Sequence, residues 1–370
     1  MPDPHLLTRF HAAARLLGLF VGLAAAAIAV VALTDTPPER AVRKTLGIGC
    51  VPDQRDSPGW RSERELSAKV DEPKAVAVGE RIYFAGGIDN LVSFGKPSGV
   101  PGVKSLTEVH ALDQLRRFDP ASGRYRTLAK LPEPLSHFGM VVHGSDVYVL
   151  GGEGDVVGGA YPRAGFFRYR TAKNQWSRMP SMPSHRSAFA SGVIGDRLYV
   201  AGGLYHGQPL RRLEIYDFRT GRWSRGPDMP SAREHVASAV AGGKLYVIGG
   251  RDRRTDALAT VERFNPRAAR WEAVRPLPTP SGGLGAEEVD GKVIALGGGD
   301  DRGGTVTGAV GRFDPQRGEW EALPRMMTKR HGFAVASAGG RVYTFGGSPC
   351  AYYAASDLVE SFDPRQARSP

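Results

Sequence analysis

The chain has two cysteines in 370 residues, so one disulfide is the most it can form within itself. It has no run of five or more basic residues, although its formal net charge is +11. Nucleic-acid binding usually rests on clustered Lys and Arg that release counterions from phosphate, and here the cations are scattered and mostly Arg. The chain contains no nucleophile elbow, phosphate-binding P-loop, H-E-x-x-H pair or Ca²⁺-loop pattern, which removes the common signatures of hydrolases, nucleotide enzymes and metalloproteases. Long helical periods are few, while glycine and proline number 48 and 27. That balance favours many short strands joined by tight turns, an all-β class.

The one long apolar run lies at the N-terminus. Leu16 to Leu33 is free of charge, with Arg9, His11 and Arg15 before it and Asp35 and Glu39 after it. Basic residues ahead of an apolar run are an export signal. As a helix at 1.5 Å per residue it spans about 27 Å, close to the roughly 30 Å hydrocarbon core, so it serves either as a retained anchor or as a cleaved signal peptide. Both outcomes place the rest of the chain outside the cytoplasm, anchored to the membrane and facing the periplasm or extracellular side, or secreted. Export also argues against a nucleic-acid partner.

Six diglycines, beginning at Gly86, Gly151, Gly202, Gly249, Gly297 and Gly346, each end an apolar run: RIYFAGG, DVYVLGG, RLYVAGG, KLYVIGG, KVIALGG and RVYTFGG. Their spacings are 65, 51, 47, 48 and 49 residues. Alternation with β-branched and aromatic content makes each run a strand, and glycine ends it where the backbone must turn without a Cβ. An aromatic residue stands 26 residues before every diglycine, at Trp60, Tyr125, Trp176, Trp223, Trp271 and Trp320. A third marker lies seven residues before five of these, at Phe118, Tyr169, Tyr216, Phe264 and Phe313, mostly in an F-D-P-like turn. Only the stretch from diglycine to third marker varies. It is 32 residues from Gly86 to Phe118 and 14 to 18 elsewhere, and the extra residues from Ile88 are expected to form either a long loop over one end of the fold or a disordered insertion.

Three markers recurring in register over residues 55 to 370 resemble the kelch repeat, in which four antiparallel strands make a blade and the diglycine closes the second strand. The resemblance implies a six-bladed kelch β-propeller, a closed ring of blades around a channel, preceded by one N-terminal hydrophobic helix. The implied organisation is a signal peptide or anchor over 1–33, a linker over 34–54 and the propeller over 55–370. The last repeat reaches Phe362, Asp363 and Pro364 but has no aromatic seven residues on, whereas Trp60 has no earlier strands of its own. The strand around Trp60 is therefore expected to complete the last blade and close the ring. The repeated tryptophans are expected to be structural, each needing one partner for its indole N–H.

Closure also predicts a disulfide between Cys50 and Cys350, favoured by an oxidising compartment, because Cys350 follows the last diglycine and Cys50 lies ten residues before Trp60. In kelch domains the loops leading from an outer strand to the next inner strand share one mouth of the channel. The position 16 residues before the diglycine holds Arg186, Arg233 and Arg330, and the position 14 before holds Glu72, His137 and His235. Kelch domains that bind acidic peptides use arginines at such places, so the resemblance implies a mouth that receives an anionic ligand on these six residues. The alternative for the arginines is that they tie neighbouring blade loops together.

The expected function is thus a binding or scaffold module for a protein or an anionic glycan, with no cofactor or metal. The alternative is a periplasmic sugar epimerase similar to the sialic acid mutarotases, which are also six-bladed kelch proteins. A copper enzyme similar to galactose oxidase is disfavoured, since Cys350, Tyr352 and Tyr353 match its ligands in type only.

Overall fold

The computed structural model describes residues 56–89, 108–154, 156–157, 161–255, 257–300, 305–350 and 355–366. The N-terminal apolar run, the linker, Cys50 and the extra residues 90–107 of the first blade lie outside them. Among the described residues there is no free cysteine and no helix long and apolar enough to cross a membrane.

Six four-stranded antiparallel sheets make the propeller. In the second blade the strands run Gly139–His143, Asp146–Leu150, Phe166–Arg170 and Gln175–Arg178, from channel to rim, and the other blades repeat this order. The innermost strands begin at Lys74, Gly139, Ala190, Ala237, Gly285 and Ala334. Each packs against the next around the ring, and the first packs against the last. Burial follows sequence pattern. The second strands, such as Asp146–Leu150 and Lys244–Ile248, read as nearly continuous apolar runs because both of their faces meet neighbouring blades.

The seven-residue interval becomes a contact. In each blade the outer-strand aromatic pairs across the sheet with the third-strand aromatic, as in Tyr169 with Trp176 and Phe313 with Trp320. The sixth blade obtains its outer strand from Trp60–Ser62, which pairs with Val359–Phe362 and sets Trp60 opposite Phe362. Their rings stack 4.9 Å apart. Each tryptophan also reaches back one blade: Nε1 of Trp60, Trp176, Trp223, Trp271 and Trp320 donates to the carbonyls of Pro324, Ala129, Pro180, Pro227 and Arg275. A ring that buries apolar area and satisfies its one donor therefore couples neighbouring blades.

The diglycines work by absence. Gly346 has φ +63°, and a Cβ there would lie 2.4 Å from the carbonyl oxygen of Val70 in the adjoining blade. At the rim, the F-D-P-like turns are held by their acidic or amide residue: Asp217 Oδ1 accepts from the backbone N–H of Arg219 and Thr220, and Asp314 Oδ1 from Gln316 and Arg317.

Candidate functional site

The loops leading into the innermost strands meet at one end of the channel. Six equivalent positions there, Glu72, His137, Ala188, His235, Gly283 and Gly332, all have φ between +46° and +62°. This left-handed turn aims the backbone along the ring. Ala188 N–H donates to His137 O, Gly283 to His235 O, Gly332 to Gly283 O and Glu72 to Gly332 O, at 2.6 to 2.9 Å. The result is a neck of inter-blade hydrogen bonds that narrows the channel. Glycine adopts this conformation freely, whereas other residues carry a strain of about 1–3 kcal/mol each.

Three of the ring positions carry ionisable side chains. Glu72 Oε1 lies 3.7 Å from His137 Nε2, and the imidazoles of His137 and His235 meet edge to face with centroids 5.0 Å apart. A second tier flanks the histidines: His137 Nδ1 is 3.1 Å from Ser136 Oγ and 3.7 Å from Glu153 Oε2, and His235 Nδ1 contacts Glu234. Burial works against charge on Glu72, but His137, Lys74, His331 and Arg251 surround it and hold its carboxyl below the usual range. The same burial, reinforced by Arg251, His137, Lys74 and His331, keeps His235 neutral far below the ordinary histidine range. His331, close enough to act on both, turns its Nε2 to the carbonyl oxygen of Cys350, 2.8 Å away.

The arginines behave differently from the anion-receiving role implied by sequence. Arg186, Arg233 and Arg330 have no exposed surface and turn into their blades. Their Nη1 groups donate to the first diglycine carbonyls, Gly202, Gly249 and Gly346, and their Nη2 groups pair with Glu214, Glu262 and Glu360. A hydroxyl completes each set, with Ser184, Ser231 and Thr328 donating to the same carboxylates. Burial lowers all three guanidinium pKa values, that of Arg186 to about 10. These cations are neutralised and enclosed, so they tie strands rather than present donors to a ligand. Glu72, His137 and His235 remain as the mouth residues that the structure brings together.

Beyond the neck the channel opens into a cavity of about 330 Å³ walled by the innermost strands. Glu287 stands in this wall, where removal from bulk water, with Glu288 beside it, pushes its carboxyl up to about 8. Glu287 stays protonated in the folded chain well after it ionises in the unfolded one. Its stabilising contribution is therefore full below about pH 4.5 and is lost as pH rises to about 8. Glu287→Gln should leave the urea midpoint near that of the wild type at pH 5 and raise it above the wild type at pH 9. Parallel pH profiles for the two proteins would contradict this.

The loops between second and third strands of the second and third blades, with the loop that carries His185, build a feature that no repeat marker announces. A groove of about 580 Å³ between the second and third blades is lined by Tyr161, Arg163, Arg178, His185, Tyr205 and His206, together with Glu133. Tyr161 and Tyr205, 59% and 41% exposed, are the exposed large hydrophobic side chains among the described residues. His206 (φ +45°) and Gly207 (φ +70°) form a two-residue hairpin turn between Leu204–Tyr205 and Gln208–Pro209, the positive-φ geometry that such tight turns need. The turn stacks His206 edge-on to Tyr205, 4.3 Å away, with Tyr161 beyond it at 6.1 Å. The readable signal was the His-Gly pair beside an aromatic residue.

A family model, the KLHDC2/KLHL20/DRC7 Kelch-repeats domain, matches residues 73–276 and 138–347. Kelch-like protein 34 of Homo sapiens is 34% identical over 114 residues, 28% of this chain and 18% of that protein. Kelch-like protein 25 of Xenopus tropicalis is 27% identical over 113 residues, 30% of this chain and 18% of that protein. Kelch-like protein terF of Aspergillus terreus is 26% identical over 154 residues, 40% of this chain and 30% of that protein. The chain thus spans less than a third of the length of these relatives.

Proposed function

Because the chain belongs to the kelch-repeat family, whose model covers most of the propeller, we propose that it is a binding module that receives an acidic segment of a partner protein on the loop face, in the groove between the second and third blades. The observation that carries this reading is the pair of exposed tyrosines, Tyr161 and Tyr205, set among Arg163, Arg178, His185 and His206. Tyrosine supplies large contact area at low entropic cost, and guanidinium forks donate two parallel hydrogen bonds to a carboxylate. The net charge of +11 favours encounter with anions at long range. The basic-then-apolar N-terminus supports placing this module outside the cytoplasm.

The test is binding of the full chain to panels of acidic, neutral and basic peptides, followed by fluorescence anisotropy at rising salt, alongside a panel of sulfated and uronic-acid glycans. Acidic peptides should bind best and weaken with salt. Arg163→Ser or Tyr205→Ser should reduce that affinity at least about tenfold with unchanged melting, the size expected when a hydrogen bond to a charged group or an aromatic anchor is lost. Binding to glycans alone, or equal binding to acidic and basic peptides, would overturn the reading. A periplasmic-active reporter fused after Pro370 that stays inactive would overturn the placement.

A further inference from the structure

We propose that Glu72, His137 and His235 form a binding site for one divalent transition-metal ion of the zinc class in the neck of the channel. Nothing in the sequence motifs points to it, because the three residues are 65 and 98 positions apart. The propeller brings them together by placing one from each of three blades at the same ring position.

The geometry suits an ion. One ligand atom from each residue lies within 4.8 Å of the others. Bonds of about 2.0–2.2 Å to zinc place tetrahedral ligand atoms about 3.4 Å apart, so modest side-chain rotation closes this set onto a single centre. His137 Nε2 and Glu72 Oε1 are already 3.7 Å apart. The space between the side chains is about 20 Å³, room for one water-sized sphere. Two imidazoles and one carboxylate are a common donor set for zinc and neighbouring transition metals, whereas magnesium and calcium prefer oxygen throughout.

The surroundings match what metal-binding histidines need. Ser136 and Glu153 beside Nδ1 of His137 orient that ring with its Nε2 toward Glu72, and Glu234 lies against Nδ1 of His235. Ser187 Oγ in turn donates to Glu153 Oε1 at 2.5 Å, fixing that carboxylate. The carboxylates Glu72, Glu153 and Glu234 offset the charge of Lys74 and Arg251 nearby. The other three ring positions, Ala188, Gly283 and Gly332, bring nothing larger than a methyl group. At Gly332 a Cβ would lie 2.6 Å from Glu72 Oε1, so glycine there is what lets the carboxylate occupy its place. An ion held by three protein atoms keeps a coordination position for water or for a ligand carboxylate. The site stands apart from the tyrosine-lined groove, and neither depends on the other.

The test uses the full chain without an affinity tag, stripped with a chelator and titrated with Zn²⁺ against a chromophoric competitor. One Zn²⁺ per chain should bind, and Mg²⁺ and Ca²⁺ should not displace it. Co²⁺ should give visible d–d absorption at one equivalent. Glu72→Gln, which keeps the shape of the side chain, and the His137→Gln/His235→Gln double variant should weaken zinc binding on the order of 100-fold or more, at least what loss of a supporting residue alone costs. A variant with the groove histidines replaced, His185→Gln/His206→Gln, should bind as the wild type does. Circular dichroism reports whether each variant is folded, and should the double variant unfold, Glu72→Gln decides. Undiminished zinc binding by folded Glu72→Gln, or stoichiometry that follows His185 and His206, would overturn the proposal.

Discussion

Arg330→Ala is expected to destabilise the propeller by about 3–5 kcal/mol, the usual consequence of breaking a buried ion pair from one side. Arg330 has no exposed surface, and its guanidinium serves four acceptors: the carbonyls of Gly346 and Leu358, the Thr344 hydroxyl and Glu360 Oε2, at 2.7 to 3.1 Å. Alanine strands the Glu360 carboxylate, itself 1% exposed, with the Thr328 hydroxyl as its remaining side-chain donor among these partners. Lysine should rescue little, because a single ammonium cannot bridge the diglycine carbonyl and the carboxylate as a planar fork does. Arg330→Met combined with Glu360→Leu should recover part of the loss by removing both charges. Thermal melting and urea unfolding of the three variants check these values, and peptide affinity at the groove should stay unchanged in each. Unchanged melting of Arg330→Ala would show that the arginine is not a tie.

What was legible in the sequence follows from what a repeat can encode. Strand order, blade number and ring closure depend on local patterns repeated in register, so the constant interval from Trp60 to Gly86 already placed Trp60 against the last blade. The direction of a loop side chain depends on partners elsewhere in the blade. Arg186, Arg233 and Arg330 share one register at the mouth-side loops, yet their side chains turn into the blades. The missing signal lay in the third strand, two residues before its aromatic marker. Glu214, Glu262 and Glu360 occupy that position in the three blades that carry the arginine. The other blades hold Arg116, Phe167 and Gly311 there, opposite Val70, Leu135 and Ser281. Arginine and glutamate thus come and go together, as partners in a buried pair must. In the fifth blade Ser281 Oγ takes over the diglycine carbonyl, donating to Gly297 O without bringing a charge.

The groove was illegible for another reason. Tyr161 and Tyr205 lie outside the three repeated markers, in the variable stretch between second and third strands, where no register constrains them. Their exposure is visible only when both loops stand next to each other. Glu72, His137 and His235 fall between these cases. Register identified them, whereas their mutual approach required the left-handed turn that every ring position shares.

Deleting residues 34–66 is expected to cost cooperative folding altogether. The segment from Ser57 to Leu66 supplies the outer strand of the sixth blade and more. Trp60–Ser62 pairs with Val359–Phe362, and Asp363 N–H donates to Gly59 O. Glu63 and Leu66 N–H donate to the carbonyls of Val359 and Asp357. Across the neighbouring blade, Trp60 Nε1 donates to Pro324 O and Ser57 Oγ to Arg325 O. Without these residues the strand Val359–Phe362 becomes a sheet edge of four buried residues with unpaired backbone donors and acceptors. That strand also carries Glu360, so the buried pair with Arg330 would become open to water from the rim side. A milder version isolates the side chain: Trp60→Ala, which removes a ring 8% exposed and stacked on Phe362, should cost about 3–5 kcal/mol while keeping the backbone pairing. The deletion should instead give a soluble fraction that aggregates on warming and a broad, non-coincident unfolding curve by fluorescence and circular dichroism. Supplying a synthetic peptide of residues 56–67 in trans should restore a sharper transition, because the edge is a ready template for that strand. A soluble deletion variant that melts as sharply, and at the same temperature, as the full chain would show that the ring does not need this strand to close.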